Sequence, residues 1–172
     1  MEQLTEILTR EHQTVLGALD RLEEAIEADS RSAIEDALHF LDERLIPHRR
    51  KEEEVLFPEL AKRFPPDAGP VVCMLEEHGE ERRRLSALWI ALGSHDRKAV
   101  VQEEQAVLDH LRGHIAKEET VLFPMAEALL EGDARSRVHA GFRSIGACCT
   151  ECAVPTDAPK REFRSEETFG PY

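Results

Sequence analysis

The string H-x-x-K-E-E-x-V-L-F-P occurs twice in this chain, 66 residues apart, as HRRKEEEVLFP from His48 and HIAKEETVLFP from His114. The same offset pairs Glu11 and His12 with Glu77 and His78, Leu19 with Leu85, and Leu22 with Leu88. It continues through Arg31 and Arg97, Ala33 and Ala99, Leu45 and Leu111, Lys51 and Lys117, and Glu53 and Glu119. A repeat at this period is one supersecondary unit used twice, and it predicts an approximate two-fold axis. Whatever one copy places on that axis, the other places there again.

The unit reads as a helix hairpin. Apolar residues recur with helical spacing at Leu4, Leu8, Val15, Leu19, Leu22 and Ile26, until EADSRS, where Ser30 or Ser32 can cap the next helix. The second stripe carries Ile34, Leu38, Leu41, Leu45, Val55 and Leu56, and FPPDAGP breaks it. Val71, Leu75, Leu85, Leu88 and Leu92 define a third helix ending at Gly93; Val100, Val107, Leu111, Val121, Leu122 and Met125 define a fourth, ending near Gly132. No β-branched run alternates with period two. The expected fold is therefore all-α, an up-down-up-down four-helix bundle of two duplicated hairpins over residues 1–132. Residues 133–172 form a C-terminal extension, with one short helix near Ser136 to Ile145 followed by a Pro-, Thr- and charge-rich segment.

At 172 residues, 41% apolar and 33% charged, the chain suits one soluble domain. A net charge of -13 argues against nucleic acid or an anionic membrane as partner. No apolar run approaches the ~20 residues of a membrane span, and MEQLTEILTREH lacks a secretory pattern. Three of four cysteines crowd into CCTEC, unlike a disulfide framework. The expected location is the cytoplasm; no protein partner is indicated.

Histidines interrupt the apolar stripes. His12 lies on the first and His78 on the third; the second passes through His48 and Glu52, the fourth through His114 and Glu118. An i, i+4 pair lies on one helix face about 6 Å apart. Four histidines and two carboxylates thus converge inside the bundle. A buried carboxylate without a partner costs several kcal/mol, and two facing each other cost more. Core histidinium or arginine neutralising each glutamate is one solution. A pair of cations, bridged by the carboxylates and held by neutral imidazoles, is the other.

The order H … H-x-x-x-E … H … H-x-x-x-E on four helices resembles the hemerythrin-like proteins, non-haem di-iron four-helix bundles, over His12 to Pro124. The resemblance implies two iron ions joined by an oxo or hydroxo group. It further implies His12 and His48 on one iron, His78 and His114 on the other, and Glu52 and Glu118 bridging. The oxygen-carrying members place a pair of histidines four residues apart on the third helix; here Met74 and Arg82 flank His78. Their last carboxylate is an aspartate five residues after its histidine; here Glu118 follows by four and Glu119 takes the fifth place. Two nitrogens per iron leave open positions on both, which favours reaction with peroxide, O2 or NO over simple oxygen carriage, with catalase-like turnover as one form. A non-catalytic iron or oxygen sensor is the alternative. Ferritin-type storage or ferroxidase chemistry is a third reading, although it calls for E-x-x-H rather than H-x-x-x-E.

Other residues carry subsidiary expectations. Pro47 and Gly113 precede ligand histidines and could tilt them inward. Phe57-Pro58 and Phe123-Pro124 would seal one end of the site. His110 and Glu81 are possible extra ligands, or a relay and an acceptor for an imidazole. Glu53 and Glu119 read as solvated or as backing groups, and His39 and His95 as surface residues. Cys148, Cys149 and Cys152, with His139, could form a thiol or metal site; Cys73 reads as a buried small residue.

Overall fold

A computed structural model describes residues 3–94 and 96–151, with side chains through Ile145. Helix α1 (Glu6–Glu27) turns back into α2 (Arg31–Lys51), which runs through a π-helical turn (Glu52–Leu56) into α3 (Phe57–Ala61). The second copy follows as α4 (Pro70–Ser94), α5 (Arg97–Lys117), a second π turn (Glu118–Leu122) and α6 (Phe123–Leu129); α7 (Gly132–Glu151) ends the described chain. Among the described residues there is no strand, and no helix is long and apolar enough to cross a membrane. The expected all-α class holds: α1 packs on α2, α4 on α5, and α1 on α5.

The duplication is visible in the loops. Arg31, opening α2, donates to the Leu92 carbonyl at the end of α4 (2.9 Å), and Arg97, opening α5, donates to the Ile26 carbonyl at the end of α1 (2.5 Å). Each hairpin thus binds a carbonyl in the last turn of the other's first helix, where carbonyls lack a full set of helical partners. Asp96 caps α5 by accepting from Lys98 and Ala99 backbone N–H groups. Ser30 stands at the start of α2 in extended conformation, but its hydroxyl makes no cap bond, contrary to the sequence expectation. The αL conformation at this turn falls to Asp29 (φ 51°), a residue type that tolerates it.

The π turns have a common cause. Pro58 and Pro124 lack an N–H, and in an unbroken α-helix their rings would press on the carbonyls of Glu54 and Thr120 four residues back. The helix widens instead, so that Phe57 N–H bonds to Glu52 O and Phe123 N–H to Glu118 O, five residues back. Inserting one residue lets Glu52 and Phe57, and likewise Glu118 and Phe123, all face inward and become buried. Pro47 and Gly113 do not carry the distortion: α2 and α5 run through them.

The slip also explains two misread positions. A period of 3.6 puts Val55 and Val121 on the core stripe, but Val121 is 53% exposed and Val55 only partly buried. On α4 the stripe runs through Met74 rather than the expected Leu75, which is exposed. Two apolar clusters result. One is formed by Val15, Leu19, Leu22, Leu38, Leu41, Leu88 and Leu111 with their neighbours. The other joins Leu4, Leu8, Leu56, Phe57, Met74, Leu122 and Phe123 to Val138 and Phe142 of α7. The histidines lie between them.

Helix α7 is longer than expected and packs on α2 and the first π turn. Gly141 permits this approach, because a Cβ there would stand 2.6 Å from Val55 Cγ1. Cys148, Cys149 and Cys152 side chains and His95 lie outside what is described. Cys73 is exposed rather than buried.

Glu104 breaks the apolar stripe of α5 where the duplicate has Leu38. Burial, then the nearby Glu23 carboxylate, push its pKa up to about 7. Folding therefore disfavours its charged form, a cost that grows as pH rises from its unfolded value near 4.5 and is complete above 7. Glu104→Gln should raise the melting temperature at pH 8 by a few degrees, with the gain fading towards pH 4.5. Thermal scans across that range check it.

Candidate metal centre

The six residues taken from the sequence meet in the space between the two apolar clusters. His12, His48, Glu52, His78, His114 and Glu118 are all buried, the two glutamates completely. Donor atoms of His12, His48, Glu52 and Glu118 lie within 4.8 Å of one another, and so do those of His78, His114 and Glu118. The α-helical i, i+4 spacing brings His48 to Glu52 and His114 to Glu118, with Nε2 to carboxylate distances of 3.4 Å in both pairs. The second oxygen of each glutamate reaches across the two-fold axis. Glu52 Oε2 is 3.3 Å from His78 Nε2, and Glu118 Oε2 is 3.1 Å from His12 Nε2. Each carboxylate thus spans one histidine from each hairpin.

Four further glutamates stand behind the imidazoles. His12 Nδ1 donates to Glu119 (3.0 Å), His48 Nδ1 to Glu11 (3.1 Å), His78 Nδ1 to Glu53 (2.7 Å) and His114 Nδ1 to Glu77 (2.9 Å). An ionised carboxylate only accepts, so each bond puts the proton on Nδ1 and, in a neutral ring, leaves a lone pair on Nε2. Glu11, Glu53 and Glu77 are suited to this. Burial would raise each of them, but their imidazole partner and a cation (Lys51, Arg82 and Lys117 respectively) bring them below the ordinary value. The rings behave accordingly: burial lowers His48, and it pushes His78 down to about 4. Glu53 and Glu119 thus act as the backing groups the sequence suggested. Glu11 and Glu77 were missed there, although their pairing at the 66-residue offset was already visible.

Four Nε2 lone pairs now converge on two carboxylates. His12 and His48 face each other with Nε2 atoms 3.1 Å apart. Both Glu52 oxygens, Glu118 Oε1, and the Nε2 atoms of His78 and His114 are buried without a hydrogen-bond partner. Burial and then the Glu118 charge push the Glu52 carboxyl well up, since two carboxylates in one dry space do not both stay ionised unaided. Cations placed among these atoms satisfy every one of them. The donor set therefore fits metal ions, and the alternative of core histidines neutralised from within does not: the atoms left over are acceptors facing acceptors.

Aromatic rings close the space. Phe123 stacks on His12 at 5.2 Å and Phe57 on His78 at 5.5 Å, the sealing role expected of both. His110 is not among the donors; its Nε2 donates to the Glu77 carbonyl (3.0 Å) while its ring stacks on His114. Glu81 lies outside both donor groups and is bound by the Arg49 guanidinium; burial keeps its pKa raised even so. His39 is exposed, as expected.

Removing a carboxylate behind an imidazole frees the ring to rotate and change tautomer. Glu77→Ala and Glu119→Ala should each weaken cation binding by about 10–100-fold with helical content retained. Competition against a chelator, with circular dichroism alongside, measures this.

The model of the hemerythrin HHE cation binding domain matches residues 3–140, which include all ten of these histidines and glutamates and the first part of α7. No curated protein and no solved structure gives a significant match. With four-fifths of its length matched and a buried His/Glu cluster suited to metal at its centre, the chain belongs to the hemerythrin HHE cation binding domain family.

Proposed function

We propose that the centre holds two iron ions and reacts with a small molecule, hydrogen peroxide foremost, with O2 and NO as the other candidates. His12 and His48 would hold one ion and His78 and His114 the other, with Glu52 and Glu118 bridging them. The observation that carries this reading is the set of buried, unpartnered acceptor atoms at a centre where each glutamate spans one histidine from each hairpin. Bound iron would supply electron transfer and open coordination positions.

The chain supplies the rest. Glu11, Glu53, Glu77 and Glu119 hold a proton at each Nδ1 and so keep every Nε2 aimed inward. Phe57, Phe123 and the two apolar clusters exclude bulk water, which strengthens electrostatic interactions at the centre. Only two histidines stand on each side, so the protein leaves room for an exogenous ligand at both. This equivalence favours turnover over reversible carriage, where one shielded open position serves best.

Iron-loaded protein should consume peroxide, and Glu52→Ala and His48→Ala should abolish consumption together with iron binding. Two irons per chain without peroxide consumption would overturn the peroxide reading; oxygen uptake by the reduced protein and NO titration would then separate the other two.

One observation favours a second reading, that of a metal-responsive sensor. Helix α7 docks through Gly141 on Val55, three residues beyond Glu52 and within the same π turn. Without cations, the Glu52 and Glu118 carboxyls crowd one dry space beside that turn, which would link occupancy of the centre to docking of α7. Amide exchange over α7 should be at least tenfold faster without metal if this link operates, and unchanged if it does not.

A further inference from the structure

The two halves of the centre are chemically alike at the donor atoms but not one layer out. Beside His78 stand Glu81, 2% exposed and bound by Arg49, and Arg82, which donates to the Glu53 oxygen that also backs His78 (3.1 Å). At the two-fold related positions beside His12 stand Val15, Ile115 and Leu16. The fold therefore does not need charge here: the same scaffold fills the equivalent positions with aliphatic side chains, and a buried ion pair stabilises no better than such packing. Both arginines also reach the surface at one place. An open cleft of about 430 Å³ between α2 and α4 is lined by Asp42, Arg49, Arg82, Leu85, Ser86 and Trp89. Of the two arginines Arg49 is the more buried, 13% exposed against 50% for Arg82, and its partner Glu81 is buried. In a chain of net charge -13, the lining of this cleft holds two guanidinium groups and one carboxylate, Asp42, while the glutamates paired with the arginines, Glu81 and Glu53, lie outside that lining.

Resting on the two-iron reading, we propose that small inorganic anions reach the centre through the α2–α4 cleft, guided by Arg82 and Arg49, and bind on the His78/His114 side. The equivalent positions on the His12/His48 side, Val15, Leu16 and Ile115, carry no charge to guide them. Arg49 acts as the inner gate. Paired with Glu81 it fills the entrance, and its five N–H donors let it hold an incoming anion without releasing the carboxylate. The ordinary electrostatics of such a funnel raise association rates by about 10–10³-fold and make them sensitive to salt.

Sodium azide is the probe, followed by the absorption band it produces with ferric iron and timed by stopped flow on iron-loaded protein. The wild type should bind azide at a rate that falls with ionic strength. Arg49→Ile with Glu81→Val installs the aliphatic pair of the other half. With iron content unchanged, it should slow association at least tenfold and remove the salt dependence. Arg82→Gln removes the half-exposed guanidinium charge while keeping a donor for Glu53, and in protein shown to carry two irons it should slow association by a smaller factor and flatten the salt response. Ser86→Phe should obstruct the mouth. If the double variant does not retain iron, the Arg82→Gln and Ser86→Phe proteins decide the matter alone. Rates and salt dependence equal to wild type in the iron-bearing variants would overturn the cleft as the route. No azide band from wild type carrying two irons would instead overturn the open positions themselves, and this proposal with them.

Discussion

Four imidazole-to-glutamate hydrogen bonds govern the centre. Each fixes a proton on Nδ1 and turns a bare Nε2 into the dry space between the hairpins. Once those bonds exist, the interior holds four nitrogen acceptors and two carboxylates with nothing to donate to them, an arrangement that is expensive without cations. Other features can be understood as consequences or supports. The π turns after His48 and His114 let a carboxylate and an aromatic ring face the same space. The two apolar clusters keep water from satisfying those atoms instead. Arg31 and Arg97 tie the hairpins together at the far end, where a splayed bundle would separate the two halves.

Symmetry accounts for the centre, and its breaking accounts for what surrounds it. The 66-residue duplication reproduces the donor atoms, their backing glutamates, the stacking phenylalanines and the interhairpin arginines. It does not reproduce Glu81 with Arg49, Arg82, or the cover that α7 lays over Val55 but not Val121. Changes in the outer layer leave the donor set intact, so the halves of a duplicated site are free to diverge there first. In this chain one half carries Arg49, Glu81 and Arg82 beside a surface cleft, and the other fills the same positions with aliphatic side chains. The ligand route proposed above depends on that difference alone.

Much of this was legible in the sequence because it rests on strict periodicities. The offset that pairs His48 with His114 and His12 with His78 is exact, and an i, i+4 spacing places Glu52 and Glu118 without reference to anything distant. Three kinds of information were not legible. The π turns shift the helical phase by one residue, which sends Val121 to the surface, and nothing local distinguishes Pro58 and Pro124 from prolines that end a helix. Glu11 and Glu77 back histidines on neighbouring helices, so their role depends on a crossing geometry that sequence spacing does not contain. Glu81 was suspected as a ligand because it lies three residues from His78; the structure gives it to Arg49, a partner that stands on another helix.

Anomalous diffraction from crystals of iron-loaded protein, recorded across the iron absorption edge, tests the central claim most directly. The expected result is two peaks per chain, one between His12 and His48 and one between His78 and His114, with Glu52 and Glu118 lying between both. A single peak, or iron bound elsewhere while His12 and His48 remain in contact through their Nε2 atoms, would contradict the two-iron centre.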